Sequence, residues 1–438
     1  MRLAAQSWLI VILALIAAVA AFGLAINRNL PDPHLGPAMA KRAPNPSRGA
    51  YIATLGDCAA CHTTPGGAAL AGGVPLATPL GSVYSTNITP DREHGIGAYS
   101  FTDFARVMRQ GVRPDGARLY PAMPYTAYAK VSDEDLQDLF AYLTQKVAAA
   151  PAPDRVPGIP WLLRVRWPLA LWNKAFLQDA RFAPEPAKGA AWNRGAYLVQ
   201  GLAHCGTCHT PRGLGFQEIS VDGGSAFYLS GARLAGESPV NLRGNAGDGL
   251  GRWSADEIAE LLATGRSPHA AVLGQMGEVV AQSTQFMTPD DRSAIAAYLK
   301  SLPPAPEEGR ATYAPSGATL AAFMAGREST VPGARMFMDS CAACHRLSGE
   351  GEGRSFPHLG GSPTVLAQHP DSLIRVILKG ARLPATEAAP SRLAMPPFGW
   401  RYDDQQVAAL ASFVRQSWGN NAAAVSAEDV ERVRKGLR

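Results

Sequence analysis

The sequence has few of the features that identify an enzyme or a nucleic-acid-binding protein. Charged residues make up only 18% of the 438 residues, and the formal net charge is +5. A charge this small gives no indication of a nucleic-acid partner. The sequence contains no glycine-rich dinucleotide loop, nucleophile motif or paired catalytic carboxylates. Alternating runs of β-branched residues are also rare, so the sequence predicts an all-α fold.

Cysteine is scarce as well, and all six cysteines lie in C-x-x-C-H motifs. The copies are Cys58-Ala59-Ala60-Cys61-His62, Cys205-Gly206-Thr207-Cys208-His209 and Cys341-Ala342-Ala343-Cys344-His345. No cysteine is left over to add a further thiolate, which argues against half of a zinc site. A redox-active C-x-x-C pair is the other alternative.

C-x-x-C-H is the attachment signature of a c-type haem. The two thiols can add to the two vinyl groups of one porphyrin, and the adjacent imidazole can then reach the iron. Three copies predict three covalently bound haem c groups, attached through all six cysteines. His62, His209 and His345 are the predicted proximal iron ligands. If every cysteine holds haem, no structural disulfide is possible.

The sixth iron ligand decides the chemistry of such a haem. A methionine thioether fills the remaining coordination position of the iron and raises its reduction potential, which suits electron transfer. An open position instead allows ligand binding or catalysis. Met123 lies in Tyr120-Pro121-Ala122-Met123-Pro124-Tyr125, and Met395 lies in Leu393-Ala394-Met395-Pro396-Pro397-Phe398. Proline fixes the backbone of both segments. We therefore predict Met123 and Met395 as iron ligands.

The second repeat offers three candidates for this position. Met276 lies in a glycine-rich segment at the repeat-equivalent distance, Met287 precedes a predicted helix, and His269 is a third option. An apolar residue at the place of Met287 would staple the start of that helix. We therefore predict Met276 as the ligand.

Internal repetition predicts three helical modules. Each begins with a Gly-Ala pair before its motif, continues with a helix that ends at Gly111, Gly265 or Gly380, and closes with a further helix. The predicted organisation is an N-terminal membrane anchor or signal (1–27), a tether (28–45), three cytochrome c-type domains (46–150, 190–304, 330–420), two linkers (151–189, 305–329) and a mobile polar tail (421–438).

Two apolar stretches lie outside the modules. Trp8 to Ile26 is uncharged over 19 residues, which predicts an uncleaved N-terminal hydrophobic helix in the bacterial inner membrane, with the haem domains on the periplasmic side. A cleaved signal peptide is the alternative. Trp161 to Leu177 combines tryptophan, leucine and basic residues, which is typical of a helix at a membrane surface or partner, but equally of a strut buried between modules. Pro168 should interrupt it.

The chain resembles the tri-haem cytochrome c subunit of bacterial membrane-bound dehydrogenases, a class that serves alcohol, gluconate, sorbitol or aldehyde oxidation. Besides the haem motifs, the resemblance is carried by Ser85-Thr86-Asn87-Ile88-Thr89-Pro90-Asp91, Gly95-Ile96-Gly97, Val279-Val280, Ser283-Thr284-Gln285 and Ala297-Tyr298-Leu299-Lys300-Ser301-Leu302-Pro303.

The resemblance implies an electron-transfer subunit with no catalytic residues of its own. It would accept electrons from a flavin, quinoprotein or molybdenum dehydrogenase subunit and pass them to ubiquinone or to a respiratory oxidase of the respiratory chain. Methionines at the places of Met123, Met276 and Met395 complete the haem irons in that family. Two alternatives remain, a haem enzyme that acts on peroxide or sulfur compounds and the cytochrome subunit of a terminal respiratory oxidase.

Overall fold

The computed structural model describes residues 30–36, 42–78 and 80–437, together with ten positions before residue 30. Those positions are Trp8, Ala14, Ala17, Ala18, Ala21, Phe22, Gly23, Ala25, Ile26 and Arg28. Most of the predicted N-terminal hydrophobic helix therefore lies outside the described residues. Within the described residues, no helix combines the length and the apolar character needed to cross a bilayer.

The chain divides into two compact units. Unit 1 contains Met1–Ala53 and Cys61–Phe182, and unit 2 contains Thr54–Ala60 and Ala183–Arg438. The second and third modules both belong to unit 2.

Helices are the main regular elements of both units. The first module has the helices Pro46–Leu55, Cys58–His62, Phe101–Gln110, Tyr125–Tyr128 and Asp133–Gln145, and the linker after it has a 3₁₀ turn, Trp161–Arg164, and a helix, Leu169–Phe176. The second module has Ala190–Tyr197, which continues as a π-helical turn over Leu198–Leu202, then Gly206–His209, Ala255–Thr264, Gly274–Gln282, a 3₁₀ turn at Thr284–Phe286, and Pro289–Ser301. The rest of unit 2 has Ala318–Met324, a 3₁₀ turn at Glu328–Thr330, Ala334–Ser340, Ala342–His345, Pro363–Leu366, Asp371–Lys379, Asp404–Gln416 and Ala427–Gly436.

The prediction of an all-α fold behind an N-terminal hydrophobic helix is wrong, because the chain is about 42% helical with 7% strand and no described helix can span a membrane. The described residues form antiparallel two-stranded sheets, Pro75–Thr78 with Gly81–Tyr84, Ala381–Arg382 with Ala394–Met395, and Thr312–Tyr313 with Asn420–Asn421. These strands are two to four residues long, too short to leave an alternating pattern in the sequence.

Helix ends follow the sequence signals closely. Ser254 and Glu257 form the predicted capping box, and Ser132 accepts a hydrogen bond from the Asp135 N–H. Gly111 and Gly265 end their helices in the left-handed conformation, with φ of 62° and 74°, where a side chain would be strained.

Near the start of each module, a glycine lies against the backbone of a later helix. A Cβ added to Gly49 would lie 1.9 Å from the Asp138 carbonyl oxygen, and one on Gly195 would lie 2.0 Å from that of Ala294. In the third module the corresponding distance from Gly333 to the Ala409 oxygen is 2.4 Å. The Gly-Ala pairs of the sequence are therefore needed for close approach of two helix backbones.

Replacing Gly195 by alanine is expected to destabilise unit 2, because the new methyl group would overlap the backbone of the last helix of the second module. Overpacking of this kind costs about 1–3 kcal/mol. Thermal unfolding of the haem-loaded protein measures the loss. Gly189→Ala is the matched control, because an added Cβ there has nothing within 4 Å. Equal unfolding temperatures for the two variants would contradict the close crossing.

The C-terminus was expected to be a mobile tail, but residues Ala427–Gly436 form a helix. Its Val430 and Val433 are buried in the core of the third module. Ser426 and Asp429 form a capping box at its start. Most residues of this helix are charged and its apolar face consists of two valines, so the sequence did not indicate a buried helix.

A buried carboxylate joins the second and third modules within unit 2. Asp371, which is 1% exposed, accepts charged hydrogen bonds from Arg233 and Arg432. Arg233 belongs to the second module and Asp371 to the third. Since loss of one partner of a buried ion pair is costly, this contact fixes the two modules against each other.

Candidate haem-binding sites

Each C-x-x-C-H motif folds into a helical turn, over Cys58–His62, Gly206–His209 and Ala342–His345. Residues three apart lie on the same face of a helix. In the second and third motifs the first cysteine is the N-cap of this turn, and the histidine ends it. A C-x-x-C-H motif of this form can attach one porphyrin through both thiols.

The histidine of each motif makes the same kind of hydrogen bond, from its ring to a backbone carbonyl oxygen. Nδ1 of His62 lies 2.7 Å from the Thr86 carbonyl oxygen, Nδ1 of His209 lies 2.7 Å from that of Val240, and Nδ1 of His345 lies 3.0 Å from that of Pro357. A carbonyl oxygen can only accept a hydrogen bond, so Nδ1 is the donor.

This contact leaves Nε2 as the free nitrogen of each ring. Burial lowers the pKa of His62, His209 and His345, so each imidazole is neutral at neutral pH and its Nε2 carries a lone pair. A backbone partner on the other nitrogen is typical of metal-bound histidine, because it fixes the tautomer and the ring orientation. The sequence analysis missed these carbonyl groups.

Three of the six thiols differ from those of a redox-active pair. None of the six forms a disulfide. Burial raises the pKa of Cys205 and of Cys341 to about 12, and that of Cys208 to about 11. Reactive C-x-x-C pairs instead depend on a lowered thiol pKa. The described residues also contain no group of three or more His, Cys, Asp or Glu that could hold a metal ion.

In the third module the predicted ligands line one cavity. Cys341, Cys344, His345 and Met395 all contribute to its wall. Much of the remaining wall is apolar and includes Phe337, Val365, Leu373, Ile377, Phe398, Leu410 and Val414. Two thiols, an imidazole with a free Nε2 and a thioether around an apolar space are the donor set and the surroundings that a haem c needs.

A short sheet positions Met395. Met395 pairs with Ala381 in the two-stranded sheet that follows the helix Asp371–Lys379. Gly380 lies at the turn between the helix and this sheet with φ of 70°, and a Cβ there would lie 2.5 Å from the Met395 carbonyl oxygen. The thioether is thus held by backbone pairing.

Met123 lies on an irregular turn in unit 1. Its N–H donates to the Tyr120 carbonyl oxygen, and its own carbonyl accepts from the Tyr125 N–H at 2.8 Å. Tyr125 is 1% exposed and so anchors the turn in the core. As predicted, Met123 lies between the second and last helices of its module, and the two backbone contacts fix the turn that carries it.

The three candidate iron ligands of the second module lie in different surroundings. Met287 is 3% exposed, in the core before the helix Pro289–Ser301. His269 pairs with Glu257, with 3.3 Å between Nε2 and the carboxylate, and lies against Trp253. Met276 is in the first turn of the helix Gly274–Gln282, whereas the sequence placed it in a loop. Met276 remains the predicted ligand.

Comparisons with known proteins agree with this geometry. The cytochrome c family model matches residues 46–146, 192–303 and 330–418. The chain is 47% identical over 392 residues to the cytochrome c subunit of the quinone alcohol dehydrogenase of Gluconacetobacter polyoxogenes, which covers 88% of this chain and 83% of that protein.

Two further relatives have the same kind of name. The gluconate 2-dehydrogenase cytochrome c subunit of Pantoea cypripedii is 46% identical over 89% of both chains. The fructose dehydrogenase cytochrome subunit of Gluconobacter japonicus is 37% identical over 91% of this chain and 84% of its own length. Each relative is named as one subunit of a dehydrogenase.

Proposed function

Because the chain belongs to the cytochrome c family, we propose that it is the electron-transfer subunit of a dehydrogenase complex. The family carries covalently bound haem c. One observation carries the proposal. In all three motifs the histidine Nδ1 is hydrogen-bonded to a backbone carbonyl oxygen, which leaves Nε2 available to bind iron. The three relatives named above are dehydrogenase subunits, which supports the same role.

The proposal includes three haem c groups per chain, one for each motif. Haem c supplies a one-electron couple between ferric and ferrous iron. In each module the chain would provide two thiols for attachment and one imidazole as an iron ligand. We propose Met123, Met276 and Met395 as the opposite ligands, since a thioether closes the iron and raises its potential.

One segment connects the second and third sites. Ala271 and Leu273 of the second module line the cavity of the third module. Met276, the proposed ligand of the second haem, follows three residues after Leu273. The segment from Ala271 to Met276 thus borders the third site and carries a ligand of the second. We propose successive electron transfer between the two sites that this segment joins.

The proposed partners follow from this role. Electrons enter from a separate catalytic subunit of the flavin, quinoprotein or molybdenum type and leave to ubiquinone. We propose that the haem-bearing modules lie on the periplasmic side of the bacterial inner membrane, where haem c is attached to proteins.

Purification of the tagged, haem-loaded chain from membranes tests this function. Mass spectrometry of the co-purifying proteins should identify a dehydrogenase catalytic subunit. In stopped-flow spectroscopy, substrate of that subunit should reduce the haems of the complex within its turnover time. The isolated cytochrome chain with the same substrate is the control and should remain oxidised.

Other outcomes would support the alternatives. A co-purifying copper-haem oxidase would indicate the terminal-oxidase role. Rapid consumption of peroxide by the isolated chain would indicate a haem enzyme. Either result, without reduction by a dehydrogenase subunit, would contradict the proposal.

A further inference from the structure

Unit 1 displays a surface that is both apolar and basic. Its large apolar side chains are highly exposed, with Trp161 at 74%, Leu162 at 65%, Leu163 at 45%, Val165 at 52% and Leu171 at 53%. These five residues and the exposed Arg164 and Lys174 together form what we call the apolar-basic surface. Residues 155–178 contain four basic residues and no acidic one.

The apolar-basic surface is held firmly by the first module. Asn173 donates to the Gln110 carbonyl oxygen at 2.7 Å and accepts from the Tyr125 hydroxyl at 2.9 Å. Trp172 packs edge-on against Tyr125, with 6.1 Å between ring centroids. Pro168 separates the 3₁₀ turn from the following helix, as predicted. The exposed side chains are therefore presented by an ordered backbone.

A second anchor lies at the beginning of this surface. The guanidinium of Arg166 lies 4.4 Å from the ring centroid of Tyr120 and donates to the Arg118 carbonyl oxygen at 3.0 Å. Phe22 packs edge-on against Trp167 at 5.7 Å and is itself 53% exposed. Phe22 thus extends the exposed apolar area.

From these observations we propose that the apolar-basic surface binds the surface of a phospholipid bilayer that contains anionic headgroups. Soluble proteins rarely expose a contiguous apolar area without a binding role. Tryptophan and leucine suit the boundary between headgroups and acyl chains, and arginine and lysine can reach the phosphates beside them. The absence of acidic residues from 155–178 makes the charge complementary to an anionic membrane.

The position of this surface gives it a role in electron transfer. Tyr120 and Tyr125, which anchor the surface, flank Met123 in the same turn. The proposed ligand of the first haem is therefore fixed to the surface that meets the membrane. This step rests on the proposed function and assigns the first module as the place where electrons reach a lipid-soluble acceptor. The binding of lipid itself is independent of it.

Hydrogen exchange of the full-length, haem-loaded chain tests the contact. The protein is mixed with vesicles of phosphatidylcholine alone or of phosphatidylcholine with phosphatidylglycerol. Amides of residues 159–177 should exchange more slowly with the anionic vesicles, and high salt should weaken this protection through screening. The double variant Leu162→Glu/Val165→Glu should partition into the vesicles about tenfold less, since about 1.4 kcal/mol of lost apolar burial corresponds to a factor of ten.

Leu214→Glu is the matched control, because Leu214 is a fully exposed leucine in unit 2. It should partition like the unmodified protein. Unchanged exchange of residues 159–177 with anionic vesicles would overturn the proposal. Protection by the purified catalytic subunit instead of vesicles would also overturn it and make the surface a protein interface. Reduction of the haems by that subunit in detergent should be unaffected in the double variant, which separates this proposal from the proposed function.

Discussion

Replacing Met395 by alanine is expected to convert the haem of the third module from low spin to high spin. The thioether lines the same cavity as His345, Cys341 and Cys344, and alanine has no atom that can bind iron. Loss of the methionine ligand should also lower the reduction potential of that haem, by on the order of 0.1 V. Absorption and electron paramagnetic resonance spectra measure the spin state, and a redox titration measures the potential.

Met324→Ala is the control, because Met324 is 77% exposed on a linker helix and does not line the cavity. Its spectra should match those of the unmodified protein. An unchanged low-spin spectrum in the Met395 variant would remove this residue as the ligand. The same substitution at Met276 tests the second module, where Met287 and His269 are already engaged elsewhere.

Replacing Asp138 by asparagine should lower the free energy of unfolding of unit 1 by about 2 kcal/mol, since the partly exposed Arg42 and Arg48 lose a carboxylate partner whose side chain is buried. The Asp138 side chain is 0% exposed and pairs with Arg42 and Arg48, each at 2.7 Å. It also accepts the Asn45 N–H at 2.7 Å. Asp115→Asn is the control, because that carboxylate is 59% exposed and exposed pairs contribute less than about 1 kcal/mol.

The effect of Asp138 should depend on pH. Burial by itself would raise its pKa, but the hydrogen bonds from Arg42, Asn45 and Arg48 lower it from 3.8 to about 2. The carboxylate therefore stabilises the fold above about pH 4, and this contribution is lost as the pH falls toward 2. Denaturation at several pH values should show the gap between the unmodified protein and Asp138→Asn narrowing over this range. A gap that stays constant would contradict the role of the charge.

The features that the sequence predicts best are motifs and helix caps, in which the residues have a fixed local spacing. C-x-x-C-H fits in one helical turn, so Cys341, Cys344 and His345 are recognisable without knowledge of the fold. Proline-flanked methionines are also local signals. Helix caps such as Ser254 and Gly265 were predicted for the same reason, because each depends on a few neighbouring residues.

Contacts made by the backbone at variable distance could not be predicted. The carbonyl groups that hold the three histidines come 24, 31 and 12 residues later in the chain. A carbonyl oxygen belongs to every residue, so Thr86, Val240 and Pro357 share no side-chain signature. Their common role is visible only once the loop after each motif has folded back over the histidine.

Short or strongly polar elements were missed for another reason. The strands Pro75–Thr78 and Gly81–Tyr84 have four residues each, which is below the length at which alternation can be recognised. The C-terminal helix buries Val430 and Val433 among charged residues, so its periodicity was too weak to identify. A capping signal was nevertheless present, since Ser426 is followed three residues later by Asp429.

The central claim is that one chain carries three haem c groups, each on its own C-x-x-C-H motif. The most direct test is the haem content of the purified full-length chain, from the pyridine haemochrome spectrum together with the intact mass after denaturation. The account predicts three haem equivalents per polypeptide and a mass that exceeds the polypeptide by three covalently attached haems. Two or fewer equivalents, or haem that separates from the denatured chain, would contradict it.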